Sequence, residues 1–363
     1  MKICIVVGAR PNFVKIAPIL AEIRQYSELK WSLIHTGQHY DHNMSESFFK
    51  DLEIPEPNVN LNVGASPPAI QTAEIMLRLS PIVAAGCPDL ILVVGDVNST
   101  LAGALVAAKA MIPVAHVEAG LRSFDRTMPE EVNRVLTDAV SDYCFTTESS
   151  ANDNLARERV APARIYYVGN VMIDTLLRVR ERADGSTILR RLGVRAGDFV
   201  VLTLHRPSNV DDSRAMTRSL SAIGCVQRDI PVVFPVHPRT RERLKLLPDF
   251  VRRGAGLILT EPLPYLDFVH LMASAACVLT DSGGIQEETT ALGVPCLTLR
   301  TTTERPITVT QGTNRIVGTE PEKIAAAWAE IRRGQWPMGQ LPQFWDGRTA
   351  ERIVKVLASH GSH

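Results

Sequence analysis

The chain has 363 residues, 45% of them hydrophobic and 21% charged, a composition that excludes a disordered protein and a length that suggests about two domains of ~150–200 residues. Thirty-nine basic and thirty-nine acidic side chains cancel, which argues against a nucleic-acid binder, whose footprint is a basic excess. The local basic run Arg239, Arg241, Arg243 and Lys245 reads as a solvated helix face. Six cysteines are scattered with no Cys-x-x-Cys pair and no histidine spacing suited to zinc, a reduced-compartment pattern that implies neither disulfides nor a metal. The opening MKICIVVG resembles a leader only until Arg10 and Lys15, and no small-residue cleavage site follows. No apolar run reaches ~18 residues, so the expectation is a cytoplasmic protein with no membrane partner.

In chain order, Val- and Ile-rich runs mark strands at 2–8, 31–36, 90–95, 114–117, 143–147 and 165–168, then 199–204, 232–236, 257–260, 277–280 and 295–299. Most are continuous and not alternating, as expected of parallel strands covered on both faces, and helical patterns separate them. The charged stretch 178–198, with Asp184-Gly185-Ser186, breaks the rhythm. We therefore expect one doubly wound domain over 1–172 and a second over 173–346. The last helical pattern, within 347–363, could pack on either. Ligands of such sheets lie beyond the carboxyl ends of the strands, and two sheets facing each other would form an interdomain cleft.

Chemistry-bearing residues gather at those strand ends. GARPNFVK (8–15) has a single glycine and no Gly-x-Gly-x-x-Gly, so the dinucleotide fingerprint is missing and no nicotinamide cofactor is implied. Arg10 and Lys15 suit a diphosphate or carboxylate, or else are surface cations on an ordinary turn. In VVGDVNST (93–100), Asn98-Ser99 can cap the following helix, and Asp96 either helps that cap or does chemistry. HVEAGLRSFDRTMPEEVNR (116–134) is denser. Pro129 suits a first helical position and Glu130 and Glu131 its first turn, which leaves Glu118 without a structural role. In the second half, FVVLTLHRPSN (199–209) ends a strand at His205 and Arg206. LTDSGGIQEETTALGVP (279–295) ends one at Asp281, and Ser282-Gly283-Gly284 opens a helix with Glu288 further along. The N–H groups of that first turn make an anion site. Asp-Ser-Gly-Gly also occurs around protease nucleophiles, but in an all-β, disulfide-rich fold unlike this one. No Gly-x-Ser-x-Gly elbow or Walker A loop is present.

Together these segments resemble the non-hydrolysing UDP-N-acetylglucosamine 2-epimerases. The match runs through GARPNFVK, TGQH (36–39), Gly95-Asp96, HVEAGLRS, PEEVNR, VGNVMIDTL (168–176), LHRPSN, TDSGGIQEE, LGVP, TTTERP (301–306) and GTNRIVG (312–318). The resemblance implies a GT-B-like α/β architecture of two Rossmann-like, doubly wound parallel-sheet domains facing across a cleft, a closing helix that returns to the first domain, and a homodimer. It implies no cofactor and no metal, and a UDP-sugar as the small-molecule partner. UDP would lie on Ser282, Gly283 and Gly284, with Glu288 on the ribose and Arg10 and Arg305 near the phosphates. Asp96, Glu118, Glu130, His205 and Lys15 match the catalytic set. Two departures stand out: Ala9 and Asn12 replace the family's usual Thr and Glu, and Tyr40-Asp41-His42-Asn43-Met44-Ser45 lacks the arginine and glutamine of substrate-activated members. The latter pattern resembles relatives acting on diacetamido uronic acid sugars. A GT-B glycosyltransferase, a hydrolysing epimerase and a non-catalytic sugar sensor are the rival readings.

Overall fold

The computed structural model describes residues 1–38, 49–210, 213–236, 238–245 and 256–360. The chain forms two compact units, Met1–Arg178 with Gln343–His363, and Val179–Pro342. The change of unit falls inside the helix Val171–Asp184.

The first unit is built on seven parallel strands: β1 (Lys2–Val7), β2 (Lys30–His35), β3 (Val59–Asn60), β4 (Leu90–Val94), β5 (Val114–Ala119), β6 (Tyr143–Thr146) and β7 (Ile165–Tyr167), in the order β3-β2-β1-β4-β5-β6-β7. The second has six: β8 (Val200–Thr203), β9 (Val232–Pro235), β10 (Leu257–Thr260), β11 (Cys277–Thr280), β12 (Cys296–Thr298) and β13 (Asn314–Ile316), in the order β10-β9-β8-β11-β12-β13. Each winds outward from its first strand and then reverses, which is the Rossmann order. The architecture is the expected α/β, GT-B-like one.

The continuous apolar runs have the expected cause. Along β8, Val200 and Leu202 join one core cluster while Val201, with Phe199 just before the strand, joins another, so the sheet is dry on both faces and continuous apolar side chains fit it. Every expected strand is present. The two that were not expected, β3 and β13, are short edge strands of two and three residues. Two further details differ from the sequence reading. β5 continues two residues past position 117, through a register shift between Val117 and Ala119. Val97, and not Asn98 or Ser99, is the N-cap residue of the helix Asn98–Lys109. Ser99 is drawn elsewhere, its Oγ lying 2.7 Å from both Thr36 Oγ1 and Gln38 Oε1.

After Gln343 the chain packs on the first unit. The fully buried Trp345 donates from Nε1 to the Thr147 carbonyl (3.0 Å). The Ala350 N–H, at the start of the helix Thr349–His360, donates to Asp174 Oδ2 (2.7 Å). Among the described residues no helix is long and apolar enough to cross a membrane, and no group of three or more His, Cys, Asp or Glu side chains could hold a metal ion.

Candidate active site

In the first unit the strand order reverses between β1 and β4, the place where a doubly wound sheet opens a crevice at its carboxyl edge. The turn after β1 is fastened to the end of β4 by Asn12. Its Oδ1 accepts from the N–H groups of Gly8 and Ala9 (3.0 Å each), and its Nδ2 donates to the Val94 carbonyl (2.9 Å). Here the departure at position 12 has a local task. Arg10 is exposed at the first residue of the helix Arg10–Ile23.

Asp96 follows β4, and Arg134 Nη1 reaches its Oδ2 at 2.5 Å. Arg134 is fully buried and is itself aimed by Glu131, which takes Nη2 at 2.6 Å and Nε at 3.1 Å. Glu131 in turn accepts from the N–H groups of Ser123 and Phe124 (2.9 Å each). Burial pushes this carboxyl up, but those donors outweigh it and hold it below the usual range. The sequence reading missed this relay, although the spacing of Glu131 and Arg134 on one helix face signals a pair.

Glu118 sits at the bulge of β5 with φ +75°, a conformation a non-glycine residue adopts only at a cost. Its Oε2 lies 2.7 Å from Lys15 Nζ, with the two side chains 2% and 7% exposed. Glu118, to which the sequence assigned no structural role, thus has a buried ion-pair partner, and removing one member leaves an uncompensated charge. Gly95, with φ +69°, places its Cα so close that an added Cβ would lie 2.8 Å from Lys15 Nζ. Lys15 thus touches both Glu118 and the turn that carries Asp96. Glu130 is half-buried in the first turn of the helix Pro129–Val140, where Pro129 is the first residue.

In the second unit the reversal falls between β8 and β11. Asp281, fully buried after β11, accepts from the N–H groups of His205 (3.1 Å) and Arg206 (3.0 Å) and from Asn209 Nδ2 (3.0 Å). Its Oδ1 meets His205 Nδ1 at 2.8 Å. Burial raises the Asp281 carboxyl, and His205 and the other donors more than reverse this. The His205 side chain is 57% exposed; with Nδ1 anchored, Nε2 is the nitrogen that can meet a ligand.

Ser282 is the N-cap residue of the helix Gly283–Leu292 and makes no side-chain cap bond. The first-turn N–H groups have no partners inside the helix, and they carry its positive dipole end. Beside them lies a cluster the sequence did not announce. Glu304 takes Arg300 Nη1 at 2.8 Å and Arg206 Nη2 at 3.2 Å, and Arg305 Nε pairs with Glu287 Oε1 at 2.8 Å. Arg305 is 4% exposed, held by its neighbours and not extended into solvent. Glu288 is buried, with the Tyr265 hydroxyl donating to its Oε1 (3.1 Å). Burial pushes its carboxyl up to about 7, against the smaller opposing effect of Tyr265. His39 and the segment Tyr40–Ser45 lie outside the described residues.

Two Rossmann-like units, one with carboxylate–cation pairs at its switch point and one with a glycine-opened helix start at its own, suit proton transfer and the binding of an anion. A family model described as UDP-N-acetylglucosamine 2-epimerase matches residues 21–358. The chain belongs to this family. It is therefore an epimerase-family enzyme of the isomerase class. Among its epimerase relatives, the UDP-N-acetylglucosamine 2-epimerase of Methanocaldococcus jannaschii is 41% identical over 98% of this chain and 99% of its own. The UDP-2,3-diacetamido-2,3-dideoxy-D-glucuronate 2-epimerase of Pseudomonas aeruginosa is 39% identical over 99% of each. A crystal structure of the Methanocaldococcus jannaschii UDP-GlcNAc 2-epimerase in complex with UDP-GlcNAc and UDP superposes with a TM-score of 0.92 at 40% identity, over 99% of this chain and all of that one.

Proposed function

We propose that this epimerase interconverts UDP-GlcNAc and UDP-ManNAc by eliminating UDP and adding it back. The hydrogen on C2 is not acidic, so direct removal would leave an unstabilised carbanion. In the elimination, a carboxylate takes the C2 proton, the C1–O bond breaks with its electron pair going to UDP, and a C1=C2 double bond forms. In the return step a proton is delivered to the opposite face of C2 while the diphosphate oxygen adds to C1. The cycle is redox-neutral but leaves the accepting group protonated and the donating group deprotonated, and proton exchange with water returns both to their starting states.

The observation that carries this reading is the carboxylate set at the β1/β4 switch point, Glu118 against Lys15 and Asp96 against Arg134. Asp96, Glu118 and Glu130 serve as proton-transfer groups, a task typically worth roughly 10²–10⁴-fold each. Lys15 and His205 assist the charge that moves between sugar and diphosphate. Ser282, Gly283 and Gly284 receive the diphosphate on the helix start, with Arg10 and Arg305 as its cations. Glu288 takes the ribose hydroxyls. The enzyme acts as a cytoplasmic homodimer supplying a sugar for polysaccharide synthesis, and light scattering of the purified protein checks the dimer.

The test is turnover in heavy water. Deuterium should appear at C2 of the product, and an oxygen label in the C1–O–P bridge should scramble within the phosphate. Retention of the C2 hydrogen with an unscrambled bridge excludes elimination. A second reading, epimerisation of a UDP-diacetamido uronic acid sugar, is favoured by the Pseudomonas aeruginosa relative at 39% identity. Comparing kcat/KM for the two substrates decides between them.

A further inference from the structure

His116 lies fully buried in the middle of β5, and the mechanism above gives it no task. Its ring nitrogens meet two different oxygens. Nε2 is 2.8 Å from the Gly95 carbonyl oxygen, and Nδ1 is 2.6 Å from Asp138 Oδ1. A carbonyl oxygen has no hydrogen to give, so the hydrogen on the first line belongs to Nε2. Asp138, on the helix Pro129–Val140, already accepts through Oδ2 from the Gly120 N–H (3.0 Å) and from Arg122 Nη2 (2.7 Å). A carboxyl that takes a guanidinium and an amide N–H on one oxygen is held ionised, so its Oδ1 is an acceptor on the Nδ1 line as well.

Charge balance agrees with the hydrogen count. Arg122 also forks onto Glu158, donating at 2.7 Å from Nε and 2.6 Å from Nη2. With hydrogen on both His116 nitrogens the four groups carry two charges of each sign, and the Glu158 carboxylate, 35% exposed, is also open to water.

What the ring grips is the turn before Asp96. The Gly95 N–H donates to the Val117 carbonyl (3.0 Å) and its carbonyl accepts from His116, so both polar groups of Gly95 are held from β5. We propose that His116 is a positioning residue: an imidazolium, hydrogen-bonded at both nitrogens, that fixes the Gly95 peptide and thereby the place of the Asp96 carboxylate. Asp138 keeps the ring charged and oriented, and Arg122, braced by Glu158, holds Asp138 in place. The kinetic consequence rests on the epimerase reading; the hydrogen count does not.

Nitrogen-15 spectra of the histidine rings, with the His116 signals assigned by their loss in H116L, test the count without substrate. Both nitrogens should carry hydrogen at pH 7–8, and a ring with a single protonated nitrogen overturns the proposal. Asp138→Asn keeps shape: its carboxamide oxygen can accept from Gly120 and Arg122 while its NH2 donates to Nδ1. Nδ1 should then lose its hydrogen while Nε2 stays on the Gly95 carbonyl. Because small displacements of a catalytic group cost up to ~10²-fold in rate, H116L should lower kcat by about 10²-fold with KM within about threefold. D138N, which preserves the grip on Gly95, should lose less than about tenfold. Near-parental kcat in H116L, or a D138N as slow as H116L, overturns the positioning role. If the parent enzyme turns over no UDP-sugar at all, the epimerase reading fails while the spectra still decide the hydrogen count.

Discussion

The two units share a strand order and differ in what stands at the point where it reverses. Beside β1 and β4 the first unit places carboxylates, each met by its own buried cation: Glu118 by Lys15 and Asp96 by Arg134. Beside β8 and β11 the second unit places a glycine-opened helix start, an anchored histidine and three arginines shared between Glu287 and Glu304. Under the proposed function, the same frame would carry a proton-transfer set in one unit and an anion cradle in the other. Fold supplies the position and the grafted side chains supply the chemistry. The pairing in the first unit also explains how Glu118 tolerates burial, since an unpaired buried carboxylate would cost several kcal/mol.

This division predicts a crossed pattern of kinetic effects, the largest expected here. Asp96→Asn and Glu130→Gln should each lower kcat by at least ~10²-fold while the Kd for UDP stays within about threefold. Glu288→Gln should do the reverse, weakening UDP roughly tenfold and leaving kcat at saturation within about threefold. Isothermal titration with UDP and steady-state rates measure the two arms. Carboxamide variants that lose UDP affinity and keep their kcat would erase the distinction between the units. Glu118→Gln is a poorer probe, because it also strands the Lys15 ammonium at a cost of about 3–5 kcal/mol.

Much of this division was readable before any coordinates. Continuous apolar runs mark a parallel sheet because both faces are covered, and the polar residues that interrupt them fall at carboxyl ends because only there can a side chain leave the core. Asp96, His205, Asp281 and Ser282 stood out for that reason. The edge strands β3 and β13 did not, since two or three residues leave no periodicity to read. Nor did the bulge at Glu118, because nothing in VAHVEA marks a register shift or a left-handed φ. The pairings of Asp96 with Arg134 and of Arg206 with Glu304 were invisible because ion pairs across 38 and 98 residues leave no trace in local spacing. The sequence names which residues are polar, and only the fold says which of them meet.

The units should also differ in how pH acts on them, through one buried group each. Glu288 has its carboxyl pushed up to about 7 from 4.5 by burial. Between those values the unfolded chain releases the proton and the folded one keeps it, so stability falls as pH rises from 4.5 to 7. His35 runs the other way. Burial pulls its ring down from 6.5 to about 4, so the unfolded chain takes up a proton first and stability falls as pH drops from 6.5 towards 4. Each effect has a ceiling of about 3 kcal/mol. In urea denaturation across pH 4.5–7, Glu288→Gln should gain on the parent as pH rises, and His35→Gln should gain on it as pH falls. Parallel pH profiles for parent and variants would show that neither group holds its proton differently on folding.

The smallest effect expected is at the two glycines that let each switch point close up. Gly95 needs its left-handed φ of +69°, and an added Cβ would lie 2.8 Å from Lys15 Nζ. Gly283 has an ordinary backbone, yet an added Cβ would lie 2.6 Å from Glu304 Oε1. Gly95→Ala therefore pays a backbone cost of about 1–2 kcal/mol and also displaces the ammonium that pairs with Glu118, so both stability and kcat should fall. Gly283→Ala meets no backbone strain. The end of a carboxylate side chain can move, but this one is tied to Arg206 and Arg300, so it can yield only by dragging that cluster away from the helix start. Its expected signature is weaker UDP binding with a folding stability within about 1 kcal/mol of the parent, because nothing in the backbone has to change. Denaturation curves and UDP titration on the two alanine variants separate the cases. A Gly283→Ala protein that binds UDP as tightly as the parent would mean that Glu304 does not hold the cradle in place. A Gly95→Ala protein with unchanged kcat would mean that the Lys15 position does not govern Glu118.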